Sequence, residues 1–172
     1  NTADSLTGSL ELVNTEIGAV RVRDLRLDVE SEGERKAIGL QSDPMEATVT
    51  GYFDYGDLPV MVRHMLHEVV PEDLGVTTAV SEEELADLED NSMVFNIQWN
   101  DDGRLLEALG DKVAVARGTR LNGSYNSREL VKMVLRSDSV RIGSILLDNF
   151  GLGGRPSAGA YVVNAEAQEV FA

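Results

Sequence analysis

The 172-residue chain is 42% hydrophobic but only 5% aromatic and carries a formal net charge of -15, enough for one ordinary domain or a few units of an extended repeat, with a mostly aliphatic interior. That charge repels a nucleic-acid backbone and an anionic membrane surface, so nucleic acid is not an expected partner. With no cysteine, disulfides, thiol catalysis and cysteine-ligated zinc are excluded.

No apolar run approaches the roughly 18–20 residues that span a bilayer, and residues 1–12 lack the basic and apolar regions of a signal peptide. The chain opens on Asn1 and stops at Ala172, just after a strand-like stretch around Tyr161 to Val163. It reads as a piece of a longer protein.

Period-two alternation dominates the first third. Leu6, Leu10 and Leu12 share a face, then Val20 and Val22, then Leu25, Leu27 and Val29 after a change of phase at Asp24, with Arg21, Arg23, Arg26 and Asp28 between them. A phase change inside continuous alternation requires a bulge or tight bend, because otherwise the apolar set moves to the wrong side of the sheet. Alternation resumes at Ile38 and Leu40, then at Met45, Ala47, Val49, Phe53 and Tyr55. Helical spacing follows through Leu58, Met61, Val62, Met65, Leu66 and Val69, with Pro59 in the first turn and Pro71 beyond the end. Ser81 and Glu84 have capping-box spacing, and Glu82 and Glu83 suit the start of a short helix over 81–90.

Met93, Phe95, Ile97 and Trp99 alternate next, followed by a short helical segment at 105–109. Thr119, Leu121 and Tyr125, then Val131, Met133 and Leu135, then Ile145 and Leu147 complete the pattern. One apolar and one polar face per strand predicts antiparallel sheet rather than buried parallel sheet. The expected organisation is one fragment, 1–172, of two strand units, 1–57 and 92–172, around a helical insertion at 58–90.

Three short patterns recur. Leu6-Thr7-Gly8-Ser9-Leu10, Val49-Thr50-Gly51-Tyr52-Phe53 and Leu121-Asn122-Gly123-Ser124-Tyr125 share one form; Leu40-Gln41-Ser42-Asp43 matches Leu135-Arg136-Ser137-Asp138; and Gly18 to Leu25 matches Gly143 to Phe150. Their repeated order implies duplicated strand units, and a glycine inside a strand permits a bend or close backbone approach.

No catalytic constellation emerges, so the chain is expected not to be an enzyme and to need no cofactor. His64 and His67 stand one helical turn apart without a third ligand, match no zinc-helix motif, and are expected to be dispensable for folding. Asn100, Asp102 and Gly103 imitate part of a calcium loop, but Gln98 and Leu109 stand where its first and last carboxylates belong. Gly151-Leu152-Gly153-Gly154 has Pro156 in place of the third phosphate-loop glycine, and reads as a hairpin connection.

The segment 8–71, with Leu40 to Asp43, Gly51-Tyr52-Phe53, Tyr55, Leu58-Pro59 and the helix before Pro71, resembles the repeat region of the large AsmA-like proteins of the TamB class, in the form seen in Bacteroidetes. Gly118 to Ser127 and Gly143 to Phe150 are similar to that family's recurring units. The resemblance implies a mainly β, curved and elongated antiparallel sheet, a β-taco-like groove with one or two inserted short helices. It further implies a periplasmic protein anchored in the inner membrane by a helix outside this chain. It implies phospholipid transport to the outer membrane and/or outer-membrane protein assembly, with phospholipid acyl chains or unfolded barrel strands as cargo, an outer-membrane barrel protein as partner through other parts of the protein, and no catalytic residues. Leu25, Leu27, Phe53, Phe95, Ile97, Leu121, Tyr125, Met133, Leu135, Ile145 and Leu147 are the expected lipid-groove residues, because they hold consistent alternate positions. Open sheet edges imply possible self-association. The competing expectation is a compact β-sandwich serving as an adhesion or carbohydrate-binding module.

Overall fold

The structure is a computed structural model, and it describes residues 5–17, 20–69, 80–86, 88, 90–101, 113–127, 131–157 and 160–171. Among the described residues the chain forms eleven strands: β1 Ser5–Ile17, β2 Val20–Glu32, β3 Arg35–Ser42, β4 Met45–Tyr52, β5 Ser92–Trp99, β6 Val113–Val115, β7 Arg120–Asn126, β8 Lys132–Ile142, β9 Ile145–Ser157, β10 Ala160–Glu166 and β11 Glu169–Phe171. Helices α1, Leu58–Val69, and α2, Glu82–Ala86, lie between β4 and β5.

All eleven strands belong to one open antiparallel sheet in the order β1-β2-β3-β4-β5-β7-β8-β9-β10, with β6 paired to β8 and β11 to β9. The architecture is therefore mainly β with two inserted short helices. A single sheet replaces the two facing sheets that a sandwich requires. Neighbours in sequence are mostly neighbours in space because tight turns close the hairpins: Gly33 (φ 59°) turns β2 into β3 and Gly143 (φ 61°) turns β8 into β9. Both conformations are left-handed and favour glycine.

Three boundaries differ from the sequence reading. Strand β4 stops at Tyr52 rather than continuing to Tyr55, because the Asp57 N–H donates to the Asp54 carbonyl in a turn and the Asp57 carbonyl then accepts the Met61 N–H to open α1. Gly151 to Gly154 is not a hairpin connection: these residues sit inside β9 and pair with both β8 and β10. Helix α2 ends at Ala86, short of the expected 90, and Asp90 is left-handed (φ 73°). The expected helix at 105–109, the close of the first helix at Val70 and Pro71, and Asp102 and Gly103 lie outside the described residues.

The phase change expected near Asp24 has a structural counterpart, and it occurs twice. In the β1–β2 ladder the pairs Val13↔Asp24 and Thr15↔Val22 are made while Asn14 and Arg23 are skipped, and Asn14 is left-handed (φ 51°). In the β8–β9 ladder the skipped pair is Asp138 and Asn149, with Asn149 left-handed (φ 48°). A left-handed residue turns the following side chains to the other face, so apolar residues three apart, Val22 with Leu25 and Leu147 with Phe150, can share a face. The matched segments 18–25 and 143–150 thus describe the same device.

The phase break crosses the sheet as a line. Where β8 passes it, β7 ends and β6 takes over pairing, through a turn in which the Ala116 N–H donates to the Ser139 carbonyl and the Thr119 hydroxyl lies 2.6 Å from that of Ser137. Where β9 passes it, β10 gives way to β11, tied by the Gln168 N–H to the Asp148 carbonyl and by Asn149 Nδ2 to Gln168 Oε1 at 2.7 Å. On the other flank, the Arg23 N–H donates to Asp43 Oδ1 at 3.0 Å beyond the end of β3.

Asn tolerates the left-handed region whereas a β-branched residue does not. Asn149→Val is therefore expected to lower stability by about 1–3 kcal/mol, whereas Asn149→Gly stays within about 1 kcal/mol of the parent. Urea midpoints of the two variants check the difference.

Candidate functional site

Directly paired residues project to the same face of a sheet, so the ladder identifies which apolar side chains share a surface. One row runs Leu10, Leu27, Leu40, Ala47, Ile97, Leu121, Leu135, Leu152 and Ala165 across nine strands. Every member is aliphatic. Beside it, on the same face, stands Val29, Ile38, Val49, Phe95, Gly123 and Met133. The opposite face carries Glu11, Arg26, Gln41, Glu46, Gln98, Arg120 and Arg136 in one row.

Of the expected groove residues, Leu27, Ile97, Leu121 and Leu135 occupy the aliphatic row itself, and Phe95 and Met133 the row beside it. Leu25, paired with Leu12, lies two places along β2, and Tyr125, paired with Met93, lies two places beyond Phe95. Leu147 stands across the phase break, yet its partner Val140 clusters with Trp99 and Val115, against which Ile97, Leu121, Leu147 and Phe150 pack. The break thus returns Val140 and Leu147 to the apolar face. Ile145 lies at the tip of the β8–β9 hairpin and is 42% exposed. Phe53 follows the end of β4 and is buried, its ring edge-on to Tyr55, whose hydroxyl donates to the Glu30 carbonyl at 2.9 Å.

The apolar face is not uniformly open. Helices α1 and α2 cover it over β4, β5, β7 and β8, where Met61 and Leu88 join Phe53, Met93, Phe95, Tyr125 and Val131 in the main core. Toward β1 the cover ends: Leu6 is 62% and Leu10 50% exposed. These two, with Leu12, belong to the same face as the expected groove residues, and their shared alternation with Leu27 was the signal that includes them. Leu152 was hidden by the glycines around it.

Two glycines shape the covered region by what they omit. A Cβ at Gly123 would lie 2.4 Å from the Phe95 ring and 2.6 Å from the Lys132 carbonyl, and one at Gly154 would lie 2.2 Å from the Tyr161 hydroxyl. An aromatic ring thus lies across each bare backbone, the arrangement by which aromatics compensate a strand glycine.

His64 is not a solvent-facing residue. Its ring is buried edge-on to Tyr125, and Nδ1 lies 2.9 Å from the Tyr125 hydroxyl. The expectation that the histidine pair is dispensable for folding is corrected for His64, because truncating a buried hydrogen-bonded side chain removes both packing and a polar partner. Among the described residues no three His, Cys, Asp or Glu side chains gather as a metal site, and no helix is long and apolar enough to cross a membrane.

The helical cover is held to itself by charge. The Glu84 carboxylate accepts the Ser81 N–H and hydroxyl, both at 3.0 Å, in the expected capping box, and also pairs with Arg63 of α1. The Ser81 amide first, then the Arg63 guanidinium, hold its pKa below the ordinary 4.5. On the polar face the Arg26 guanidinium and then the Ser9 hydroxyl likewise hold Asp28 below its ordinary 3.8.

The chain matches no family model, no curated protein and no solved structure.

A lowered carboxylate pKa adds stability above the ordinary value that disappears as pH falls through the folded value. Glu84→Gln is therefore expected to melt lower than the parent at neutral pH, with the gap closing as pH falls below about 4.5. Thermal scans across that range read both features. Gly123→Val forces the Phe95 ring to move and should lower stability by about 1–3 kcal/mol, while Gly39→Ala, where the nearest atom is 4.0 Å away, stays near the parent in the same denaturant titration.

Proposed function

We propose that this chain is a non-catalytic segment of a longer, inner-membrane-anchored periplasmic protein of the TamB class, and that its apolar sheet face shields phospholipid acyl chains on their way to the outer membrane. The observation that carries the reading is the aliphatic row across nine strands, which remains uncovered where it reaches Leu10 at the β1 edge. A compact core has no need of that uncovered end.

An acyl chain crossing water exposes methylenes at about 0.8 kcal/mol each. A continuous aliphatic surface removes most of that cost without strong contacts at any one point, so bound chains stay free to slide. The anchor and the outer-membrane barrel partner belong to parts of the protein beyond this chain.

A second cargo is favoured by a specific feature. Among the described residues strand β1 pairs with β2 alone, so its other edge offers backbone donors and acceptors beside Leu6, Leu10 and Leu12. An unfolded outer-membrane strand, apolar on alternate residues, could add to that edge in the manner of strand augmentation. The same edge supports self-association.

Photo-reactive residues at Leu10 or Leu27 in the full-length protein are expected to trap lipid, whereas Glu11 or Arg26, one place along on the polar face, do not. Mass spectrometry of the adducts distinguishes the cargoes: protein adducts without lipid select the unfolded strand, and equal trapping from both faces refutes a one-sided apolar surface. Leu27→Arg should reduce lipid capture more than it reduces stability, because a guanidinium on a long stem reaches water from a face left partly open.

A further inference from the structure

On the β1–β4 side of the polar face, cations meet carboxylates. Arg26 bonds Asp28 at 2.8 Å and approaches Glu11 at 3.7 Å, and Arg23 meets Asp43 at 3.4 Å. One place on the other side departs from this. The polar row through Gln98, Arg120 and Arg136 continues to Gly151 and Glu166, and it sets Arg120 directly opposite Arg136. Like charges directly opposite destabilise a sheet.

A depression of about 420 Å³ opens here, beside the phase break. Its charged lining residues are Arg120, Arg136, Asp138 and Glu166, and Phe150 is its one large apolar side chain. Two cations and two carboxylates thus share a single hollow. Among the described residues, neither arginine forms an ion pair with either carboxylate. The Arg120 Nε donates to Gln98 Oε1 at 3.2 Å, which anchors that guanidinium without engaging its terminal nitrogens.

The backbone keeps the two signs apart. Gly151 separates Arg136 from Glu166 in their row, and the Glu166 carboxylate leans over that bare backbone, where a Cβ would lie 2.9 Å from its Oε1. Asp138 stands beyond Arg136 on β8, at the place the β8–β9 ladder skips. The two guanidiniums therefore form a positive centre, flanked by one carboxylate across the sheet and another along the strand.

We propose that this hollow binds a zwitterion, a phosphate group linked by a short chain to a primary ammonium. Arg120 and Arg136 hold the phosphate, and Glu166 and Asp138 accept the ammonium N–H groups. A ligand of both signs completes both halves of the set, whereas an anion alone meets two carboxylates and a cation alone meets two arginines. Phosphate suits the positive half because two planar forks from neighbouring strands match oxygens arranged in three dimensions. The hollow lies on the face opposite the aliphatic row, so it does not rest on the acyl-chain reading. A phosphatidylethanolamine headgroup and soluble phosphoethanolamine present the same chemistry.

The test titrates the whole chain by calorimetry with phosphoethanolamine and with glycerol 3-phosphate, which carries the phosphate without the ammonium. Separately, the chain is floated with phosphatidylcholine vesicles made with and without phosphatidylethanolamine. Phosphoethanolamine is expected to bind at least about tenfold tighter than glycerol 3-phosphate, equivalent to 1.4 kcal/mol, and less tightly as salt rises. Arg136→Gln lowers affinity for both soluble probes, whereas Glu166→Gln lowers it for phosphoethanolamine alone and so closes the gap. Arg26→Gln, on the other side of the face, changes neither. All three side chains are exposed, so the variants are expected to stay folded, which thermal scans check. A response to phosphoethanolamine identifies a soluble ligand; flotation that needs phosphatidylethanolamine, without that response, identifies a headgroup. Binding from neither source, equal affinity for the two soluble probes, or binding that Arg136→Gln and Glu166→Gln leave unaltered overturns the proposal.

Discussion

Cross-strand register is the constraint on which this molecule depends. With a side-chain period of two, a slip of one residue in any ladder would carry that strand's leucines to the polar face and its charges to the apolar one. The row from Leu10 to Ala165 holds its aliphatic character across nine strands only because all eight intervening ladders keep phase. Four of these junctions show how. Tight turns at Gly33 and Gly143 hold two hairpins, the Ser42 hydroxyl accepts the Met45 N–H at the third, and where no hairpin exists, between β4 and β5, the two helices press Phe53, Met93 and Phe95 into a common core.

Burial, charge and backbone conformation act on different parts of the problem. The apolar face supplies most of the favourable burial, at about 25 cal/mol per Å², but does not by itself distinguish one leucine partner from another. The polar face adds discrimination at the acidic end through Arg26, which bonds Asp28 at 2.8 Å and approaches Glu11; such exposed pairs add little energy, yet they penalise a slipped register that would set carboxylates opposite one another. The left-handed asparagines do what neither burial nor charge can, changing the phase within a strand while its ladder continues.

Much of this was legible in the residues. Alternation of apolar and polar side chains marked nearly every strand, because a half-buried sheet imposes period two on sequence, and the Ser81 and Glu84 spacing marked the start of α2 because the capping geometry fixes it. The matches between Leu40 to Asp43 and Leu135 to Asp138 proved to be positional: Leu40 and Leu135 stand in one row, and each segment ends at the phase break. Other features were hidden for physical reasons. Gly151 to Gly154 resembled a connection because turn glycines and strand glycines look alike until the ring of Tyr161 is placed above one of them. Nothing in sequence spacing places Tyr125 beside His64, sixty-one residues away. Nor does alternation show that the two helices lie over Phe95 and Tyr125, so it marks a shared face without telling which part is filled from within and which is left to a ligand.

The phase break has one more consequence. Beyond it, the ends of β1 and β2 and of β8 and β9 form hairpin tips whose partners, where described, are separate short strands, β6 and β11. Such a tip can lengthen by one residue in each strand, about 3.3 Å at a time, without altering a single pairing on the other side of Asn14 or Asn149. Height at this margin is thereby uncoupled from the breadth of the main sheet, and natural variation in this scaffold is free to accumulate there, as paired insertions at hairpin ends rather than as substitutions within the rows.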